Sequence, residues 1–328
     1  MKRPIQMNRR TAIQNAAALA LAAAASPVAA QAGCAADAAA PPKSACVRDR
    51  LWIFTAPEGA NNELLELGGF RGGSRMTPAE GAFYLDVPNL IMVRCFDLPP
   101  HPGRDRGWRA KTHFEQYALS FRPLQRVLWS VVGAGGMGGA ADAPEVVTLA
   151  KTFPNITGAF FDDLGLGNPA MSAEAIRGVR KTLGTVGRPM EMWVTLYTHE
   201  INTARKDPGA AGNARELLSC FDVLTLWTWN SDELRAIEEN MAALESLAPK
   251  ETRKALGLYI YDYHNKKPVP LDLMKHQCEL GLRWLKAGSV SNLILLGNTV
   301  LDLDFESAEF ARQWIARVGP ERLPVPHD

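Results

Sequence analysis

Eight short runs of apolar and β-branched residues recur along the chain: Leu51–Thr55, Leu90–Phe96, Arg126–Gly133, Ile156–Asp162, Glu191–Thr198, Asp222–Trp229, Lys254–Asp262 and Ser289–Gly297. Each has the length and composition of a β-strand. Between the later runs, apolar residues return at a period near 3.6 behind recognisable helix starts at Ser172-Ala173-Glu174-Ala175, Ser231-Asp232-Glu233-Leu234 and Leu271-Asp272-Leu273-Met274. Strand and helix therefore alternate. Eight such repeats in the roughly 270 residues from Leu51 onward predict an α/β protein, a single (β/α)8 TIM barrel, whose usual size is about 250 residues. No GxGxxG follows an early strand, which disfavours a doubly wound dinucleotide-binding sheet. The run Gly133-Ala134-Gly135-Gly136-Met137-Gly138-Gly139 lacks the Lys-Ser/Thr of a phosphate loop and reads as a flexible loop after the third strand.

Alternation along the strands separates two faces. In strand five, Trp193, Thr195, Tyr197 and His199 oppose Met192, Val194 and Leu196. In strand six, Thr225, Trp227 and Trp229 oppose Leu224 and Leu226; in strand seven, Tyr259, Tyr261 and Tyr263 oppose Leu256, Leu258 and Ile260. The aliphatic face should pack on helices, leaving the aromatics to line the barrel mouth. Active sites of such barrels lie at the carboxyl ends of the strands. The candidate list is then Glu58, Arg94 and Asp97, Asp162 and Asp163, Tyr197, His199 and Glu200, Trp227, Trp229 and Asn230, Tyr259 to His264, and Asn298.

The first 32 residues stand apart. Lys2, Arg3, Arg9 and Arg10 precede an Ala-rich run from Ala16 to Ala25, and Ala30-Gln31-Ala32 offers small residues for cleavage, so residues 1–32 read as an export signal. Arg9-Arg10 with a mildly apolar continuation is twin-arginine-like, although Ala12 stands where a bulky apolar residue is usual; an ordinary Sec signal is the alternative. Either way the mature protein is expected in the periplasm or secreted. Gln31-Ala32-Gly33-Cys34 has the outline of a lipoprotein box in which Cys34 would carry lipid, with Gln31 where an aliphatic residue is usual. Residues 33–49, rich in Ala, Pro and Lys, read as a tether before a catalytic barrel domain at 50–328. No other apolar run reaches the roughly 20 residues of a membrane span.

Composition adds mainly exclusions. At 47% apolar and 22% charged residues, the 328-residue chain is globular rather than disordered. Its 36 basic and 35 acidic residues provide no basic field for nucleic acid. Removal of the signal takes four bases and no acid, leaving 32 against 35. Five cysteines, Cys34, Cys46, Cys95, Cys220 and Cys278, are too widely spaced for a CxxC metal or redox signature. Cys34 and Cys46 could pair after export, and the other three read as buried structural residues.

Aromatic rings beside carboxylates suit a carbohydrate site, because sugar C–H faces stack on Trp and Tyr while hydroxyls take directed hydrogen bonds. Glycosidic cleavage needs two carboxyl groups, one to protonate the leaving oxygen and one to act as nucleophile or to activate water. Asp162-Asp163 ends an apolar run, where unpartnered carboxylates are costly. Adjacent strand residues face opposite ways, so one of the two should reach the site, with Asp163 the preferred acid. Asp262 and Glu200 are candidates for the second carboxylate, with Glu58 and Asp97 behind them. A separation of about 5–5.5 Å would mean retention and about 6.5–9.5 Å inversion.

The phrase Gly158-Ala159-Phe160-Phe161-Asp162-Asp163, with Tyr261-Asp262 at strand seven, resembles the matching strands of barrel glycoside hydrolases, many of which carry an acid at strand four and a second carboxylate at strand seven. The largest clan has Asn-Glu at the former and Glu at the latter. The resemblance implies an oligo- or polysaccharide hydrolase with Asp163 and Asp262 in the acid/base and nucleophile roles. Trp227, Trp229, Tyr197, Tyr259 and Tyr261 would be sugar platforms, and His199, Arg94 and Asn298 would orient hydroxyls. Arg94, flanked by Val93 and Cys95, needs a carboxylate partner such as Asp97 or Asp162. Lys266 and Lys267 read as solvated loop residues. Two other classes fit the same residues: a barrel enzyme holding a divalent metal on His199, His264, Asp163 and Glu200, and a glycan-binding protein without catalysis. No HxH or HExxH pairs two histidines, so no cofactor or metal ligand set is assigned.

Overall fold

The computed structural model describes residues 45–70, 73–95, 113–166 and 171–324. The export signal, Cys34 with its lipid and disulfide readings, most of the tether, and Phe96 and Asp97 lie outside these residues. Eight parallel strands close into a barrel: β1 (Leu51–Thr55), β2 (Asn89–Met92), β3 (Arg126–Val132), β4 (Ile156–Phe161), β5 (Glu191–Tyr197), β6 (Val223–Trp227), β7 (Arg253–Tyr259) and, after a hairpin of β8 (Tyr261–Asp262) and β9 (Lys267–Pro268), β10 (Asn292–Leu296). Each strand pairs in parallel with the next, and β10 pairs with β1.

Helices cross between the strands, as in a (β/α)8 barrel: α1 (Asn62–Leu67) and α2 (Pro78–Leu85) before β2, α3 (His113–Ser120) before β3, and α4 (Ala143–Thr152) before β4. They are followed by α5 (Ala173–Leu183) before β5, α6 (Thr198–Lys206) and α7 (Pro208–Leu218) before β6, α8 (Ile237–Leu247) before β7, α9 (Leu271–Ala287) before β10, and α10 (Glu306–Val318) at the end. Their starts follow local chemistry. The Ser172 hydroxyl accepts the N–H of Ala175 to cap α5, and Thr77 with Glu80 forms a capping box ahead of Pro78. Among the described residues, no helix is long and apolar enough to cross a membrane.

The face with the aromatic residues points into the barrel. The Trp52 and Trp193 rings, from β1 and β5 across the axis, lie 4.8 Å apart. One layer higher, Phe54 meets Phe160 at 6.0 Å and Trp227 at 5.5 Å, and Trp227 meets Tyr259 at 5.1 Å. These rings fill the interior as side-chain layers do in closed barrels. Below them a polar plug closes the amino-terminal end. Glu191 pairs with Arg126 and, at 2.8 Å, with Arg253, and accepts the Trp193 indole N–H at 3.0 Å. Arg126 also lies 5.1 Å from the centroid of the Trp52 ring. Burial works to raise the Glu191 pKa, but the two guanidiniums prevail and hold it below the usual carboxylate range.

Three expectations are revised. The run to Asp262 is not one strand: β7 ends at Tyr259, and Tyr261–Asp262 turn out to pair antiparallel with Lys267–Pro268, so the loop before α9 is a small hairpin. The second strand stops at Met92. The folded body begins ahead of Leu51, since Val47 is buried and its N–H bonds the Glu321 carbonyl at 2.8 Å.

Gly257 makes the upper aromatic layer possible. A Cβ there would stand 1.3 Å from Cε3 of Trp227, in the space the indole fills. Gly257→Ala is therefore expected to destabilise the fold by about 3 kcal/mol or more, read from urea unfolding; a loss below about 1 kcal/mol would mean that the layer repacks freely.

Candidate functional site

At the carboxyl ends of β4 to β7 the inward positions change from rings to carboxyls and hydroxyls. Asp162 follows β4 on the inward face, in line with Gly158 and Phe160, and is only 3% exposed. Among the described residues, one of its oxygens has no hydrogen-bond partner, nor do the buried hydroxyls of Thr195 and Thr225, which are aligned with each other on β5 and β6. Burial, then the adjacent Asp163 carboxylate, pushes the Asp162 pKa well above the usual carboxylate range, while the nearby Thr195 hydroxyl pulls the other way. The site thus favours the protonated form of Asp162.

Strict alternation would send Asp163 to the helix side. Instead its φ is +44°, a left-handed conformation that Asp tolerates better than most residues. This turn brings both carboxyls to the mouth. Asp163 is half-exposed and held from two sides: the Tyr197 hydroxyl donates to Oδ1 at 2.6 Å and the Gly135 N–H to Oδ2 at 2.6 Å. The glycine-rich loop read as merely flexible therefore positions this carboxylate, and Gly135, at φ +68°, is one of its left-handed residues. The clue in the sequence was the glycine density, which allows backbone N–H groups to approach a side chain.

Tyr197 and Tyr259 stand beside the pair. Burial first, then neighbouring acids and tyrosines, raises both phenols well above their ordinary range, so both remain donors. Glu200, in the first turn of α6, accepts the Tyr197 N–H at 3.0 Å. Burial raises its pKa and the Asp163 carboxylate adds to the effect, while backbone donors, including the N–H of Leu166, and His199 oppose the rise. Asp162, Asp163 and Glu200 therefore form one electrostatic cluster. Over it stands Trp229, 37% exposed, with His264 at 5.5 Å, His199 at 6.1 Å and Tyr197 at 6.3 Å.

Other expected site residues serve elsewhere. Asp262 is fully buried and accepts from the N–H and hydroxyl of Ser231 and from the N–H and side-chain amide of Asn265 at 2.8 and 2.9 Å. Burial opposes ionisation there, but these four donors outweigh it and lower the pKa. This carboxylate fastens loops together and has little capacity left for a substrate. Asn298, also fully buried, exchanges hydrogen bonds with the Ala56 backbone and donates to the Met76 carbonyl, so it anchors the loop after β1. Trp227 and Tyr261 are buried: Trp227 packs over Gly257, and Tyr261 against Phe70, Tyr263 and Phe305. Tyr259 is 3% exposed, leaving Trp229 and Tyr197 as the accessible rings of that set. Arg94 pairs with Glu145 at 3.1 Å and Asp142 at 3.7 Å, not with Asp162, because it leaves β2 toward the start of α4. Glu58 accepts a hydrogen bond from the Tyr117 hydroxyl. Among the described residues, no group of three or more His, Cys, Asp or Glu side chains is placed to hold a metal ion.

No protein-family profile matches the chain, and no curated protein sequence is similar to it. Solved structures do share its fold. A Bacteroides thetaiotaomicron protein assigned as an alpha-L-fucosidase superposes with a TM-score of 0.51 at 10% identity, covering 90% of this chain and 100% of its own. A chitinase from Chromobacterium violaceum gives 0.46 at 9% identity over 81% of this chain and 98% of its own. A 2,3-dimethylmalate lyase of the PEP mutase/isocitrate lyase superfamily gives 0.42 at 12% identity, over 83% of this chain and 84% of its own. At these identities the likeness is one of fold.

The buried proton on Asp162 ties stability to pH. The folded state holds it at pH values where the unfolded chain, with a pKa near 3.8, has released it. Stability is therefore lost as pH rises from that value through the raised pKa. Asp162→Asn removes this dependence, so urea midpoints measured between about pH 4 and about pH 8 should fall less for the variant than for the wild type. Parallel curves would show that Asp162 is not a proton holder.

Proposed function

We propose that this chain is an exported glycoside hydrolase acting on an oligo- or polysaccharide, with Asp162, Asp163 and Glu200 as its working carboxyls. The observation that supports this reading most is the pair at the end of β4: a buried acid that keeps its proton, beside a half-exposed carboxylate held by Tyr197 and Gly135, beneath the exposed Trp229 ring. The amino-terminal signal pattern supports export to the periplasm or beyond.

In this mechanism a sugar ring rests against Trp229, with the bridging oxygen of its glycosidic bond above Asp163. Each Asp163 oxygen has a second lone pair beyond its chain donor, so the side chain can carry a proton and still be oriented. Asp163, in its protonated form, gives its proton to the bridging oxygen as the bond from the anomeric carbon to that oxygen breaks. The leaving sugar departs as an alcohol. Glu200 accepts a proton from the water that attacks the anomeric carbon, and solvent exchange restores both groups. Asp262, fully buried and held by four donors, has no part in this scheme. Tyr197 acts through Asp163 by fixing its rotamer.

Reducing-end release from a broad panel of glycans should be seen with the mature protein and fall by about 10²–10⁴-fold in Asp163→Asn, with carbohydrate binding retained. Equal release by both proteins would remove Asp163 from the machinery. Retained binding without hydrolysis by either protein would favour a glycan-binding role. Tyr197→Phe, which deletes one donor to Asp163, should lower kcat by about tenfold with KM little changed; a rise in KM at constant kcat would instead make Tyr197 a binding residue.

A further inference from the structure

Whatever attacks the anomeric carbon must first stand against Glu200, and Glu200 walls a cavity of about 450 Å³ between the loop after β4 and the helices α6 and α7. The cavity is graded in depth. Thr203 and Asn213 are exposed at its rim, Leu166 and Ala210 are half-buried, and Ala204 is buried. Ala204 lies one helical turn beyond Glu200 on the same face of α6, so a chain resting on Ala204 brings its end to the carboxylate.

A single water takes up about 30 Å³, so this space is far larger than the attacking water alone requires. A small alcohol matches both parts of it. Its hydroxyl takes the place of the water at Glu200, and its alkyl stem leaves solvent against Leu166, Ala204 and Ala210, each buried methylene favouring occupancy about threefold. We propose that this cavity is an acceptor site for primary alkyl alcohols, so that the enzyme transfers its glycosyl group to an alcohol as well as to water. The transfer rests on the hydrolase reading for its donor and its acid and base; the alcohol site itself stands on the cavity. Asp163 protonates the bridging oxygen and the bond from that oxygen to the anomeric carbon breaks. The alcohol oxygen bonds to the same carbon from the opposite side, and the alcohol proton passes to Glu200. The products are an alkyl glycoside of inverted configuration and the released sugar with its new hydroxyl; solvent takes the proton from Glu200 and returns one to Asp163. The leaving sugar departs on the side away from the cavity, so the donor remains an oligo- or polysaccharide.

The first test needs no donor. Saturation-transfer NMR should show hexan-1-ol bound to the protein with a dissociation constant of about 10 mM or tighter. The signal should fall at least about fivefold in Ala210→Trp, whose indole fills the space, and persist in Ala210→Ser, which leaves it open; both variants should melt as the wild type does. The second supplies a glycan that the enzyme cleaves together with methanol, ethanol, propan-1-ol or butan-1-ol at one fixed concentration. Mass spectrometry then reads the ratio of alkyl glycoside to hydrolysis product. In the wild type this ratio should rise about threefold with each added methylene, and in Ala210→Trp it should be nearly independent of chain length. Hydrolysis with no alkyl glycoside, a wild-type ratio indifferent to chain length, or equal hexan-1-ol binding by Ala210→Trp overturns the acceptor site and leaves the hydrolase reading in place. Hexan-1-ol binding lost in Ala210→Trp, with no glycan cleaved and no alkyl glycoside formed, overturns the hydrolase reading and the transfer with it, and leaves an alcohol site alone.

Discussion

Eight strands can enclose an interior only if the inward side chains fill it, and here the filling is done by rings. Trp52 and Trp193 meet across the axis, Phe54 reaches both Phe160 and Trp227, and Trp227 takes the space above a glycine. Large rings on neighbouring strands would collide at one level, so bulk on one strand is matched by its absence on another: Gly257 sits beside Trp227, and Gly158 occupies the β4 position level with Leu128. The polar plug of Arg126, Glu191 and Arg253 forms beneath this packing, with both tryptophan indoles bound to polar partners.

That dry floor sets the electrostatics above it. A carboxyl placed directly over packed rings loses its hydration, which is why burial is the largest influence on Asp162. Its sequence neighbour experiences something different. Asp163 has turned through a left-handed conformation into the wetter mouth, where a phenol and a backbone N–H meet it. Two adjacent residues of one type thus occupy different environments, one nearly dry and the other half-exposed and held by two donors.

Much of the barrel was legible because its signals are local and repeated. Strand runs and helix starts at Ser172 and Leu271 depend on neighbours a few residues away, and β1 runs from Leu51 to Thr55 as the pattern indicates. The separation of faces in β5 and β6 was legible for the same reason. Depth was not. Alternation places Trp227 and Trp229 on one face, but only the closed barrel determines that the first is core and the second is half in solvent. The Asp162–Asp163 alternation failed for a backbone reason, a positive φ that no residue pattern of this length announces. Arg94 correctly demanded a carboxylate, yet its partners Glu145 and Asp142 lie some fifty residues away and are chosen by the tertiary path of α4.

Asp163 and Asp262 show why a carboxylate at a strand end is an ambiguous signal. Asp163 follows β4 and Asp262 ends the short hairpin strand after β7, and each accepts hydrogen bonds on both oxygens. The difference lies in the donors. Those on Asp262 come from Ser231 in the loop after β6 and Asn265 in its own hairpin, three on Oδ2 and one on Oδ1, around a side chain that is fully buried. Those on Asp163 number one per oxygen and approach from β5 and from the glycine loop, leaving its outer side open. A saturated carboxylate gains its stability by holding the fold, whereas one held but unsaturated retains the capacity to exchange a proton with something outside it. Glu200 lies between these cases. It caps the backbone at Tyr197 and yet lines an open cavity, so the residue that fastens α6 to β5 also couples the acid pair to the apolar cleft.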